Sequence, residues 1–105
     1  MIQVNNKNFV DEIMNFKGVV VADFYADWCG PCKMLSPLMD QMNSENKNEN
    51  VKFVKIDVDV NQELAVQFEV MSIPTVIFFK DGKKVIQKVG VSDKKEYDET
   101  IKSTL

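Results

Sequence analysis

Hydrophobic residues fall along this chain in two patterns, unbroken runs and helical stripes. Val19 to Ala26 and Val51 to Val58 are nearly continuous runs of strand-forming residues, which predicts strands covered on both faces. Ile2 to Val4 predicts a short first strand. Thr75 to Phe79 and Lys83 to Val89 predict two more, joined through Asp81-Gly82, a dipeptide that favours a tight antiparallel hairpin. The stripes lie between these runs. Phe9, Val10, Ile13 and Met14 share one helical face behind Asn8 as N-cap, and Gly18 ends that unit. Met34, Leu35, Leu38, Met39 and Met42 mark a second helix, in which Pro37 should introduce a kink and the three methionines should fill core space. It runs out in the polar stretch NSENKNEN. Asn61 to Phe68 reads as a short capped helix. Tyr97, Ile101 and Leu105 form the apolar face of a last one, opened by Asp93 and Glu96 as a capping box.

The predicted order is β-α-β-α-β-α-β-β-α, an α/β class. Early alternation implies parallel crossovers, and the closing hairpin implies an antiparallel end, hence a central mixed sheet flanked by helices. No linker, repeat or low-complexity tract divides the chain, so residues 1–105 are expected to form a single domain.

Composition narrows the chemistry more than it narrows the fold. All 13 basic residues are Lys and the net charge is −3, a poor basis for binding nucleic acid. With no His, imidazole catalysis, Cys-His nucleophile pairs and His metal ligands are excluded. No apolar run approaches the roughly 18 residues of a membrane span. The N-terminal stretch lacks the basic and apolar regions of a signal peptide. A cytoplasmic location is therefore expected, and there a cysteine pair is more often catalytic or metal-binding than structural.

The two cysteines stand in Trp28-Cys29-Gly30-Pro31-Cys32, where a buried strand gives way to a helix. Free N–H groups and a partial positive charge at a helix start lower the pKa of a thiol placed there. Cys29 fits the cap, Pro31 the first helical position and Cys32 the first turn, with Gly30 allowing a tight approach. Such a pair can close a small disulfide ring with little backbone change. Zinc and iron–sulfur sites need about four ligands, and the chain offers two Cys and no His. Attachment of c-type haem needs a His after the second Cys, where Lys33 stands. A reversible redox couple is the reading favoured, ahead of an iron–sulfur cluster shared by a dimer or an inert pair of buried thiols.

The motif WCGPC, the preceding strand VADFYAD, the Ile73-Pro74-Thr75 triplet and the closing KDG…KVG hairpin resemble the thioredoxin family, in order and over nearly the whole chain. One departure is Tyr25, where many members carry Trp. The resemblance implies a thioredoxin fold and reduction of protein disulfides by dithiol–disulfide exchange. Cys29 would attack as the thiolate, favoured as the more exposed of the two, and Cys32 would resolve the mixed disulfide. No bound cofactor is implied. The implied partners are an NADPH-dependent flavoenzyme, thioredoxin reductase, and disulfide-containing client proteins, with the chain a monomer acting on neither nucleic acid nor membrane.

Several residues take a role only from this resemblance. Alternation alone leaves Asp23 as readily outward-facing as buried; the resemblance makes it the buried carboxylate that accepts the proton of Cys32. Lys55 on its own is a solvated strand residue; by resemblance it lies near Asp23 and moderates its charge. Most X-Pro bonds are trans, but the resemblance implies a cis Ile73–Pro74 bond beside the disulfide. Met71 and Ile73 read equally as core residues. By resemblance they join Trp28, Gly30, Pro31, Pro74, Gly90 and Val91 as the surface that binds substrate. Two other functions stay open: a dithiol oxidant or isomerase on the same fold, and a non-enzymatic docking subunit.

Overall fold

The central strand explains the rest of the architecture. In the computed structural model, which describes residues 1–105, strand β2 (Val19–Tyr25) lies in the middle of a five-stranded sheet. It pairs in parallel with β3 (Val51–Asp57) and antiparallel with β4 (Thr75–Lys80). The outer strands are β1 (Ile2–Gln3), parallel to β3, and β5 (Lys83–Val89), antiparallel to β4. The order is β1-β3-β2-β4-β5, the mixed sheet expected.

Helices cover both faces, which is why β2 is apolar but for Asp23. Side chains alternate along a strand, and the two packing clusters follow that parity. Val20, Ala22 and Phe24 pack with Val54, Ile56, Ile77 and Phe79 against Leu64 of helix α2 (Gln62–Gln67). Phe68, next in the chain, stacks edge-on against Phe9, Phe24 and Phe79. Val19 and Val21 pack with Phe53, Val76 and Phe78 against Leu35, Met39 and Met42 of helix α1 (Gly30–Glu45). Tyr97 and Ile101 of helix α3 (Lys94–Thr104) complete that second face. The same parity turns Asp23 and Lys55 toward the α1 face, and the register sets them side by side.

Local chemistry overrides the sequence pattern at several points. The first helix is a single π turn, Val10–Met14, closed by a bond from the Asn15 N–H to the Val10 carbonyl. This wider winding breaks the α-helical stripe, so Ile13 is buried while Val10 and Met14 are exposed. Asn8 does not cap it. Asn5 receives the N–H groups of Lys7 and Asn8, and Asn8 Oδ1 receives that of Asn5, so both side chains build the preceding turn. In α1, Pro37 lies within the helix, and the inward stripe is Cys32, Leu35, Met39 and Met42. Met34 falls off it and is exposed, so it is not core filler. Asn61 holds the cap position of α2, but its amide donates to the Asp57 carbonyl instead.

In α3 only half the capping box forms: the Glu96 N–H bonds Asp93 Oδ1 at 2.9 Å, while the Glu96 carboxylate turns to Lys88. Leu105 lies past the end of α3 and is exposed. The hairpin forms as expected. Asp81 and Gly82 both have positive φ, 51° and 84°, and a side chain at Gly82 would collide with the Met14 backbone.

Candidate active site

The end of β2 and the start of α1 hold the two cysteines. Cys29 is the N-cap of α1, in an extended conformation, and its Sγ accepts the Cys32 N–H at 3.2 Å. That bond satisfies one of the free donors of the first turn and brings positive charge to the sulfur. The two cysteines are disulfide-bonded, with Cα atoms 5.2 Å apart. Pro31 stands in the first turn, where no partner for an N–H is needed. Gly30 serves no close approach. A Cβ placed there meets nothing within 4 Å, and its φ is not positive. Cys29 is no more exposed than Cys32: both are buried.

A loop from a different part of the chain closes over this pair. The Ile73–Pro74 bond is cis, and the Ile73 carbonyl oxygen lies 3.9 Å from Cys29 Sγ. Pro74 is buried; its carbonyl accepts the Gly90 N–H at 2.8 Å, which ties the end of β5 to the loop. Thr75 Oγ1 donates to the Ser72 carbonyl across it at 2.6 Å.

Asp23 lies on the sheet face that α1 covers. It is buried, and its Oδ1 has no hydrogen-bond partner. Burial is the main reason its pKa rises from 3.8 to about 7. The Lys55 charge pulls it down and the Asp40 charge pushes it up by less. Lys55 is half-buried and forms no salt bridge with Asp23. Its ammonium sits 5.8 Å from the Tyr25 ring centre.

The comparisons with known proteins agree with this geometry. The family model for thioredoxin matches residues 1–103. The chain belongs to the thioredoxin family. It is 42% identical over 102 residues to a thioredoxin of Mycoplasmoides gallisepticum, covering 97% of this chain and 100% of that one. It is 41% identical over 93 residues to a bifunctional thioredoxin reductase/thioredoxin of Mycobacterium leprae, covering 89% of this chain and 20% of that protein. Among solved structures, a mutant thioredoxin from Halobacterium salinarum superposes with a TM-score of 0.87 at 38% identity, covering 98% of this chain and 88% of that one. Thioredoxins are protein-disulfide oxidoreductases working by dithiol–disulfide exchange, and this chain carries the pair that does it. The family works with a thioredoxin reductase and with disulfide-containing clients.

Around the thioredoxin pair the two sides differ. On the Cys29 side, Trp28, Met71 and Ile73 share a shallow apolar groove with Val58, Val66 and Val70. Trp28 and Met71 are exposed; Ile73 is half-buried. The Trp28 Nε1–H donates to Asp59 Oδ2 at 2.8 Å, which fixes the ring at the groove's edge. Val91 is exposed just past Gly90 but does not line the groove. On the other side, Cys32 borders a cleft with Tyr25, Lys33, Ser36 and Lys55.

Sequence reasoning missed the α2 wall of the groove. Val66 is an apolar residue on the outer face of a short helix, and that mismatch was its one available signal. Nothing in the sequence marked Asp59 as the partner of Trp28. A more enclosed depression lies far away, between the end of α1 and α3. It contains no cysteine and no carboxyl of raised pKa, so the chemistry does not belong there. No group of three or more Cys, Asp or Glu side chains is arranged to hold a metal, and no helix is long and apolar enough to cross a membrane.

Proposed function

We propose that Cys29 is the attacking thiol, Cys32 the resolving thiol and Asp23 the proton acceptor. Reduced Cys29 attacks one sulfur of a client disulfide as the thiolate, and the other client sulfur leaves as a thiolate that takes its proton from water. Asp23 takes the proton of Cys32, whose sulfur then attacks Cys29 and expels the second client thiolate. The client gains two electrons and the Cys29–Cys32 disulfide forms. The observation that carries this reading is the asymmetric setting of the pair. The Cys29 sulfur lies against the carbonyl of Ile73, a residue of the open groove, while Cys32 stands on the inward stripe of α1, the helix that covers the sheet face holding the unpartnered Asp23 carboxyl. Asp23, with a pKa near 7, exchanges protons at the working pH. Lys55 acts through Asp23, holding its carboxyl more acidic than burial alone would.

An extended client segment lies along Trp28, Gly30, Pro31, Met71 and Ile73, its backbone facing Pro74, with Gly90 and Val91 at the far rim. The whole chain, 1–105, acts as one domain and as a monomer in the cytoplasm, with no bound cofactor. An NADPH-dependent flavoenzyme, thioredoxin reductase, returns the electrons. The test is insulin reduction coupled to NADPH consumption with a bacterial thioredoxin reductase. Steady turnover that depends on this protein is expected. Stoichiometric reduction of insulin without turnover would remove the reductase from the cycle, and no reduction at all would remove the activity.

A further inference from the structure

We propose that Met71 is a site of peroxide oxidation, and that its sulfoxide weakens the docking of protein disulfides without touching the dithiol. The consequence for docking rests on the client groove proposed above; the oxidation itself does not.

The six methionines are distributed unevenly between core and surface. Met39 and Met42 are buried in the core at 0% and 4% exposure. Met34 and Met71 are exposed to 73% and 93%. Exposure governs attack on a thioether, because the oxidant must reach a sulfur lone pair. The sulfur displaces water from hydrogen peroxide: the O–O bond breaks, one oxygen stays on sulfur as the sulfoxide, and the other leaves as water. Sulfur loses two electrons and the peroxide gains them. In the disulfide form the protein has no free thiol to compete for the oxidant.

Met14, on the π turn, is exposed to a lesser 39% and does not line the groove. The two most exposed methionines, Met34 and Met71, differ in setting. Met34 points outward from α1 and lines no groove. Met71 borders the apolar groove with Trp28, Val58, Val66, Val70 and Ile73, where the one polar lining residue is Gln62. A sulfoxide there replaces an apolar contact with a strong acceptor that a docked segment must desolvate. Oxidation of Met34 carries no such penalty, so the chain contains its own control.

The experiment treats the disulfide form with hydrogen peroxide, removes the oxidant and maps oxygen addition by peptide mass. Reduction of insulin and of Ellman's reagent, a small aromatic disulfide that needs no groove, is then measured. One added oxygen is expected at Met71 and at Met34, and none at Met39 or Met42. The KM for insulin should rise about fivefold, the effect of one lost apolar contact and a desolvated acceptor. Its kcat and the rate with Ellman's reagent should not change. Measured against its own untreated rate, Met71→Leu should lose the peroxide sensitivity and Met34→Leu should keep it. An unmodified Met71, an unchanged KM at full conversion, or sensitivity that survives in Met71→Leu each overturns the inference. Untreated Val66→Glu separates the two levels. If it leaves the insulin KM unchanged, the groove is not the docking surface and both readings fall. If it raises KM while the Met71 sulfoxide does not, only this inference falls.

Discussion

The two cysteines of the redox pair are buried alike as whole residues, 4% exposed for Cys29 and 3% for Cys32, yet their surroundings differ in character. Cys29 follows Trp28 and lies against the Ile73 carbonyl, and those two residues line an exposed apolar groove with the outer face of α2. Cys32 lies in the first turn of α1, on its inward stripe, and borders a cleft with Lys33 and Lys55. Burial of the whole residues therefore does not divide the labour between the cysteines. The neighbours do, because one sulfur must meet a protein surface and the other must lose a proton.

The largest effect should come from removing one sulfur at a time. Cys32→Ser is expected to accumulate a covalent adduct with a disulfide client, and Cys29→Ser none. Both should lose turnover with insulin by three orders of magnitude or more, roughly the scale seen when a nucleophile is deleted. Non-reducing gels and mass spectrometry read the adducts. Equal trapping by the two variants would erase the distinction between the sides.

Asp23→Ala tests the proton side next. Loss of the acceptor should slow breakdown of the mixed disulfide by about 10²-fold near pH 7, the usual scale of a positioned base. The variant should also be more stable than the wild type at high pH. The folded pKa is about 7 against an ordinary 3.8, so between those values the native state holds a proton that the unfolded chain has released. Stability contributed by this group is fully present below pH 3.8, falls as pH rises through that window, and is constant above about 7. After the cavity left by the truncated side chain, a net gain of about 2 kcal/mol is expected for the variant at pH 8. Denaturant melts from pH 4 to 8 measure it, and a stability difference independent of pH would contradict the buried carboxyl.

Charge substitutions near Asp23 should act with opposite signs. Lys55→Met removes the cation that favours the carboxylate and should move the pH–rate midpoint of resolution upward. Asp40→Asn should move it downward by less, in line with the order of the two charges' influence. Single-turnover rates against pH show both. Shifts in the same direction would mean the two side chains act through packing instead.

The smallest effect is expected between the cysteines themselves. Gly30→Ala adds a Cβ into open space at an ordinary φ, so stability should change by no more than about 0.5 kcal/mol. A larger loss would show that the oxidised pair is tighter than its backbone indicates.

Some of this was legible in the residues alone. Nearly continuous apolar runs marked β2 and β3 because a strand covered on both faces shows little polar side. The position of the cysteine pair followed from the change of pattern at Trp28, and the electrostatics of a helix start are a local property that travels with the sequence. Hairpin chemistry is local too, so Asp81-Gly82 behaved as written and Asp93 capped α3, whereas Asn8 and Asn61 turned their side chains to neighbouring backbone instead of capping. What depended on neighbours distant in the chain was not legible. Alternation put Asp23 on one of two faces but could not say whether that face was covered. The packing of α1 over β2 and β3 decided it, and in doing so set its pKa. Met34 and Met39 belong to one apparent stripe, yet the docking angle of α1 turned one out and the other in. The groove wall at Val58, Val66 and Val70 exists only because α2 packs beside the end of β2, so its apolar surface is a product of tertiary placement rather than of any local motif.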